Sequence, residues 1–403
     1  MDVQDVFSAL LEPAGMADPY PMYAALHEHG DVIPAGNGFV LVPSYEAASA
    51  VLRNPDYRVP DAELMDQIHP GWRDHPALDA DGLLTLNGRA HSRIRSLLGR
   101  QFTHRRIQAL EPAVARLTDA LLDAMANQGA DGSAIDFMRE FAFALPVAVI
   151  CELIGVPDSD RDEFRPLARA LTATLEPLLD KAGLAAADAA SVTLAGMFTE
   201  LIAERRARPR DDLLSALVAA ADSDHGRISA NELVQNLILL LVAGFETTTN
   251  LLGNGLRIVL SDPNAGAGVR SGSVAPAAFV EEVLRYDSPV QFAEDRRPVG
   301  PGEVGGVSVT SEDHLVVLIG AANRDPRRFA EPDRFWPERP DGGPLSFGAG
   351  VHFCLGAALA RLEGAVAFPR LLRRFPGLEL AAEPDRRSGI VLRGFEHLPV
   401  TLG

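Results

Sequence analysis

Phe347-Gly348-Ala349-Gly350-Val351-His352-Phe353-Cys354-Leu355-Gly356 is the stretch on which the reading of this 403-residue chain turns. It sets one thiol among glycines, with a helix-forming run from Ala357 to Leu362 directly behind it. Glycines supply tight turns and have no Cβ to hold a ligand at a distance. The N–H groups and positive dipole end of a following helix stabilise an anionic sulfur. The pattern suits a thiolate that must touch a large flat ligand. Taken alone, Cys354 also has a plainer reading, because an isolated cysteine is most often simply buried.

Working outward, a second stretch stands inside a long helical pattern: Ala243-Gly244-Phe245-Glu246-Thr247-Thr248. Glycine costs a helix interior about 1 kcal/mol relative to alanine, so Gly244 needs a packing or a functional reason. Ala243 and Thr247 are four apart and share a face, where a flat cofactor has room to lie. Thr247 is able to bond back to the carbonyl of residue 243 and loosen the helix there. Glu246 points about 100° away and reaches that face only through water. A core helix with a small-residue notch is the competing reading. Glu282 and Arg285, three apart in Glu282-Val283-Leu284-Arg285, are as they stand an ordinary helix pair worth some tenths of a kcal/mol. His91 and Arg95 share a helix face, as two donors for paired carboxylates or as part of an exposed basic helix.

Together these motifs resemble the cytochrome P450 family, over about Asp18 to Val400. The decade around Cys354 meets every fixed position of that family's haem loop, Phe-Gly-x-Gly-x-His-x-Cys-x-Gly. The resemblance implies that Cys354 holds the iron of haem b, framed by Phe347, Gly348 and Gly356. It implies that His91, Arg95 and His352 serve the haem carboxylates, with Phe102, Ala243, Gly244 and Thr247 also against the haem. A further arginine is expected after Ser288-Pro289-Val290; Arg296 is the choice, although Asp295 occupies the usual register and Arg297 competes. Glu246 and Thr247 match the acid–alcohol pair that relays protons to bound oxygen. Glu282 and Arg285 match the buried Glu-x-x-Arg, completed by Arg339 in Phe335-Trp336-Pro337-Glu338-Arg339, where Trp336 replaces a residue that is usually polar. The substrate pocket is expected between the loop 60–86, the region 167–194, Leu239, Val242, Ala243, Val290, Phe292 and Val391.

Composition sets outer bounds. A net charge of −18 argues against nucleic acid as partner. Two cysteines cannot build a disulfide scaffold and suit a reducing compartment. The start, Met1-Asp2-Val3-Gln4-Asp5, is acidic where a signal peptide is basic and then apolar. The most apolar run, Leu237 to Phe245, is short for a membrane span, so a cytoplasmic protein without a membrane anchor is expected. Cys151 reads as packing, and His27, His29, His69, His75 and His104 as surface residues without metal-ligand spacing.

Along the chain, a helix is expected over Met22 to His29, a buried strand at Gly38 to Val42 and a helix over Tyr45 to Leu52. A long loop with short helical pieces follows at Pro60 to Gly88. Helices then fill His91 to Met197, with breaks at 129–132 and 155–157. Ser229-Ala230-Asn231-Glu232 is a capping box for a helix to about Leu260. Short strands are expected at Gly305 to Val309 and His314 to Ile319. The fold class is mainly α with a small β part, a single domain over 1–403: helix-rich from about 90 to 290, β-containing at about 30–60 and 295–403. The resemblance gives this the triangular, mostly helical P450 fold.

The activity so implied is a haem-thiolate monooxygenase that inserts one atom of O2 into a lipophilic small molecule by hydroxylation, epoxidation or oxidative coupling, in natural-product biosynthesis. Electrons would come from a separate acidic ferredoxin and an NAD(P)H-dependent reductase, steered by Arg93, Arg100, Arg105 and Arg106. Those arginines are equally read as ordinary charge on a solvated helix. A haem-thiolate peroxygenase or isomerase, and a non-enzymatic haem sensor or carrier, are the alternatives.

Overall fold

Ser229 Oγ accepts the backbone N–H of Glu232 at 3.1 Å, while Glu232 Oε2 accepts that of Ser229 at 2.7 Å. The reciprocal cap is closed. In the computed structural model, which describes residues 2–68, 71–78, 81–157, 161–177, 179–223, 228–293 and 295–403, the helix starting there runs unbroken from Ala230 to Ser261. Its 32 residues extend about 48 Å.

The main helices are α1 (Tyr20–His29), α2 (Tyr45–Arg53), α3 (Gly88–Gly99), α4 (Glu111–Gln128), α5 (Ala144–Ile154), α6 (Lys181–Ala207), α7 (Ala230–Ser261), α8 (Pro276–Tyr286) and α9 (Ala357–Arg374). The strands with them are β1 (Ile33–Gly36), β2 (Phe39–Val42), β3 (Ile135–Asp136), β4 (His314–Val317), β5 (Glu379–Leu380) and β6 (Pro399–Thr401). Two compact units divide the chain: Met1–Arg58, Val114–Ala144 and Thr247–Gly403 form the first, Val59–Ala113 and Leu145–Glu246 the second.

In the first unit β2 pairs antiparallel with β1 and parallel with β4, in the register Phe39↔His314 to Val42↔Val317. Val40, Val42, Val51, Leu315 and Val317 make a buried cluster under this sheet, and Leu345 and Ala349 of the cysteine loop belong to it. Each such side chain, fully buried, contributes roughly 1.5–3 kcal/mol, so the loop rests on a hydrophobic footing. β6 joins β3 to β5 in a second small sheet. Leu251 of α7 lies against Gly364 of α9, and Phe368 fills the space beside Gly255. Both contacts advance by four residues, so α7 and α9 run parallel. Arg370 with Asp119 and Arg374 with Asp123, each at 3.3 Å, set α4 parallel to α9 in the same way.

The second unit is helical. Asp188 of α6 accepts from the backbone N–H of Ala77 at 3.1 Å and pairs with His75 at 2.8 Å, and Ser191 Oγ donates to Pro76 O at 3.0 Å. These bonds pin the 3-10 turns Trp72–Asp74 and Pro76–Leu78 to α6.

Most expected elements are present, with shifted ends. α1 starts at Tyr20 because Pro21 suits a first helical turn. The strand expected to reach Ile319 stops at Val317, and Ile319–Ala322 is a short helix. A π-helical turn at Met138–Ala142 had no periodic signal. His27 is half-buried and bonds Ala321 O at 3.0 Å, and His75 is ion-paired, so neither is a bare surface histidine. His69 lies outside the described residues. Among the described residues α6 and α7 are long and apolar enough to cross a membrane, which a count of consecutive apolar residues overlooks; in α7, 72% of the most apolar window is buried inside the protein.

Candidate active site

The loop that carries Cys354 is bent by Gly348 and Gly350, at φ 67° and 70°. That is the left-handed region, where an L side chain costs roughly 1–2 kcal/mol. Gly350 also lacks space, since a Cβ there would sit 2.3 Å from the carbonyl oxygen of Leu52 in α2. Gly348 N–H donates to Leu345 O at 2.7 Å and Cys354 N–H to Phe347 O at 2.9 Å. The guanidinium of Arg361, paired with Glu281, covers the Phe347 ring at 4.4 Å. Cys354 itself is half-buried and stands two residues before Gly356, the N-cap of α9. Neither cysteine is in a disulfide; Cys151 is fully buried on α5.

Asn323, which sequence reasoning passed over, fastens the start of this loop. Its side chain accepts from Leu345 N–H at 2.7 Å and donates to Ser346 Oγ at 2.8 Å, and Ser346 Oγ donates to Leu284 O at 2.7 Å. Its carbonyl accepts from Arg285 Nη1 at 3.1 Å. Arg285 in turn holds Glu282 with two bonds of 2.8 Å, and Arg339 Nε donates to Glu282 at 2.9 Å. The expected Glu282–Arg285–Arg339 group is therefore assembled, buried, and tied through Asn323 to the cysteine loop. Trp336 does not disturb it, because its backbone N–H supplies the bond to Glu282, at 2.7 Å.

From Asn236 to Leu256 every residue of α7 is buried except Leu239, Val242, Ala243, Gly244 and Thr247. Leu239, Val242, Ala243 and Thr247 recur at three- and four-residue steps and form one open stripe. Glu246 is 6% exposed and lies off it. Carrying the α7–α9 register back one turn from Leu251 and Gly364 sets Thr247 level with Ala360, near the end of α9 that follows Cys354. A Cβ at Gly244 would meet Ile150 of α5 at 2.7 Å, so helix packing by itself demands glycine there. Phe292 bridges Leu318 and is buried with Leu41, Leu318 and Ala321, in a cluster that Val391 also touches. Val290 and Val391 remain half-buried.

On α3, His91 is 3% exposed. Burial first, and then the Arg95 charge, hold it below the ordinary histidine range. Phe102 stands in the turn after α3. Arg93 is committed to Glu232 of α7 and Arg106 to Gln101, whereas Arg100 and Arg105 are exposed. Arg93 is thus tied to α7 while its side chain stays about one-third exposed, at 34%. Arg296 is buried and paired along the backbone with Leu315. Its competitor Arg297 is engaged by Asp295 at 3.1 Å.

Within the first unit, a thiol on a glycine-shaped loop ahead of a helix fits a haem held through sulfur. The sequence model of the cytochrome P450 family matches residues 34–271 and 277–390. The chain belongs to that family. It is 38% identical to cytochrome P450 monooxygenase PikC of Streptomyces venezuelae over 95% of this chain and 91% of that protein. It is 37% identical to the 6-deoxyerythronolide B hydroxylase of Saccharopolyspora erythraea, over 96% of each. The structure of the tirandamycin C-bound P450 monooxygenase TamI superposes with a TM-score of 0.86 at 34% identity, covering 98% of this chain and 99% of that one. The protein is a P450 monooxygenase of the mainly helical P450 fold, haem is the cofactor its family implies, and its bacterial relatives include natural-product tailoring enzymes.

Proposed function

We propose that this P450 oxidises a lipophilic natural-product scaffold, and that the thiolate of Cys354 would hold the iron of haem b. The observation that carries the reading is the cysteine loop, buttressed by Asn323 and the Glu282 cluster. When bound, haem with a thiolate ligand supplies oxygen activation that no side chain provides. The chain's own residues then have defined work. His91, Arg95, His352 and Arg296 hold the haem carboxylates. Thr247 donates a hydrogen bond on the open stripe of α7, and the buried Glu246 one residue away holds a proton for delivery through water. Leu239, Val242, Ala243, Val290 and Val391 supply apolar contact for the substrate. A relative named polyketide biosynthesis cytochrome P450 PksS, of Bacillus subtilis, supports a polyketide-like substrate class.

A separate ferredoxin and its NAD(P)H-dependent reductase would supply electrons, with Arg100 and Arg105 as exposed charges for an acidic partner. Retention of both Glu246 and Thr247 favours oxygen activation over a peroxygenase, an isomerase or a haem carrier. All 403 residues would act as a single catalytic domain. The test is the reduced carbon monoxide spectrum. Thiolate ligation gives a strongly red-shifted Soret band, which Cys354→Ser must abolish. A nitrogen-type band in the parent protein would overturn the assignment.

A further inference from the structure

Val290 and Val391, two expected substrate contacts, sit on segments remote in sequence that the fold joins. Val290 bridges Leu392, Gln291 N–H donates to Val391 O at 2.8 Å, and Arg393 N–H donates to Pro289 O at 2.9 Å. Behind this short ladder lies a buried charge cluster. Asp287, which ends α8, accepts from Arg393 Nε at 2.6 Å, Tyr20 Oη at 2.8 Å and Arg386 Nη2 at 3.3 Å. Asn254 of α7 donates to Asp287 O at 3.0 Å and to Arg393 O at 3.1 Å. Arg393 Nη1 reaches back to Ala17 O at 2.9 Å and Met16 O at 3.2 Å, and Arg324 stacks on the Tyr20 ring at 3.7 Å.

Asp287 and Arg393 are 5% and 7% exposed. Burial would raise the Asp287 carboxyl, but Arg393 and Arg386 beside it outweigh burial and hold it below the usual range. Tyr20 is pushed up to about 12, by burial first and by Asp287 second. The cluster therefore keeps one charge arrangement across neutral pH. A buried ion pair is a poor source of net stability compared with apolar packing of the same volume. Its directional bonds, however, permit a single registration of the groups it joins. An apolar contact between Val290 and the 391–393 turn would tolerate sliding.

We propose that Asp287 and Arg393 are positioning residues for substrate: their pairing sets the spacing between Val290 and Val391, and so the girth of the apolar group admitted. This rests on the reading that both valines face the substrate. The test uses the full haem-loaded protein with two probes, n-decylimidazole and 4-phenylimidazole, whose Kd values are read from the Soret shift. Amide hydrogen exchange of residues 389–394 is followed in parallel. Asp287→Leu combined with Arg393→Met removes both charges and leaves apolar volume. It is expected to keep the thiolate-type carbon monoxide band, with a lowered thermal midpoint because Arg386 and Tyr20 lose their acceptor. The ratio of the two Kd values should change about tenfold or more, and the turn should exchange faster.

A ratio unchanged within about twofold overturns the proposal even if exchange quickens, since the pair would then be structural only. If the double variant does not fold, Arg393→Lys keeps the charge and loses the guanidinium fork, and the same ratio decides. Failure of the parent to show the thiolate band would instead defeat the haem-thiolate reading. The exchange measurement on the turn needs no haem, and unchanged exchange in the variant would still refute the clamp.

Discussion

Placing alanine at each of three glycines in the cysteine loop should give three different outcomes. At Gly350 the backbone is left-handed at φ 70°, and the new Cβ would lie 2.3 Å from Leu52 O and 2.8 Å from Arg53 Cα. The conformation costs roughly 1–2 kcal/mol. Relieving the clash means moving either α2 or the loop by about an ångström, and overpacking of that kind costs roughly 1–3 kcal/mol more. At Gly348 φ is 67°, but the nearest atom to a Cβ is His352 O at 4.0 Å, leaving only the conformational cost of about 1–2 kcal/mol. At Gly356 φ is −85° and nothing lies within 4 Å of a Cβ, so alanine is expected to be neutral or to stabilise by about 0.4–1 kcal/mol. The assay is haem content together with the share of thiolate-type band in the reduced carbon monoxide spectrum, alongside the thermal midpoint. Gly350→Ala should lose most of the thiolate band and Gly348→Ala a minor part, while Gly356→Ala, beside the thiolate, is read by the thermal midpoint alone. Equal behaviour of Gly350→Ala and Gly348→Ala would refute the claim that contact with α2, and not the motif as such, demands glycine at 350.

Glu282→Gln strips the counter-charge from buried Arg285 and one of two from Arg339, which keeps Asp341 at 2.8 Å, and should cost about 3–5 kcal/mol. With an unfolding entropy of about 2.1 cal/mol/K per residue, that lowers the thermal midpoint by roughly 4–6 °C, whereas Arg334→Ala at an exposed pair should be nearly silent. Glu363 on α9 is 1% exposed, both its oxygens have no partner among the described residues, and burial raises its pKa well above 4.5. The protonated native form is free of penalty below about pH 4.5, and the penalty grows as pH rises from there towards the raised folded value. Glu363→Gln should therefore match the parent in acid and gain on it as pH rises above about 4.5; a pH-independent difference in midpoints would contradict this. Thr247→Ala should divert electrons to hydrogen peroxide, measured as peroxide formed per NAD(P)H consumed with ferredoxin and reductase added. Unchanged coupling would remove Thr247 from proton delivery.

Much of the site was legible as a linear pattern because its chemistry is local. A thiol needs its glycines and its helix within a few residues, and Ser229 caps a helix through a partner three residues on. Gly244 was ambiguous for the converse reason, since the residue that explains it, Ile150, is remote in sequence. Phe292 was placed in the pocket by the family resemblance, and its bridge to Leu318 is a contact no local pattern announces. Asn323 carries no pattern by itself. Its importance is its place between Arg285 and Leu345.

From sequence alone came the family, the mainly helical class, the cysteine loop and the long capped helix. Each is written in residue spacings shorter than about two helical turns or in a motif met position by position. Tertiary structure alone decided which polar groups are buried and whom they meet: Asn254 and Arg393 on Asp287, Glu282 between two arginines, Glu363 with no partner among the described residues. A charged side chain looks the same in sequence whether solvent or a buried counter-ion surrounds it. Desolvation, which determines what that charge is worth, exists only once distant segments have closed around it.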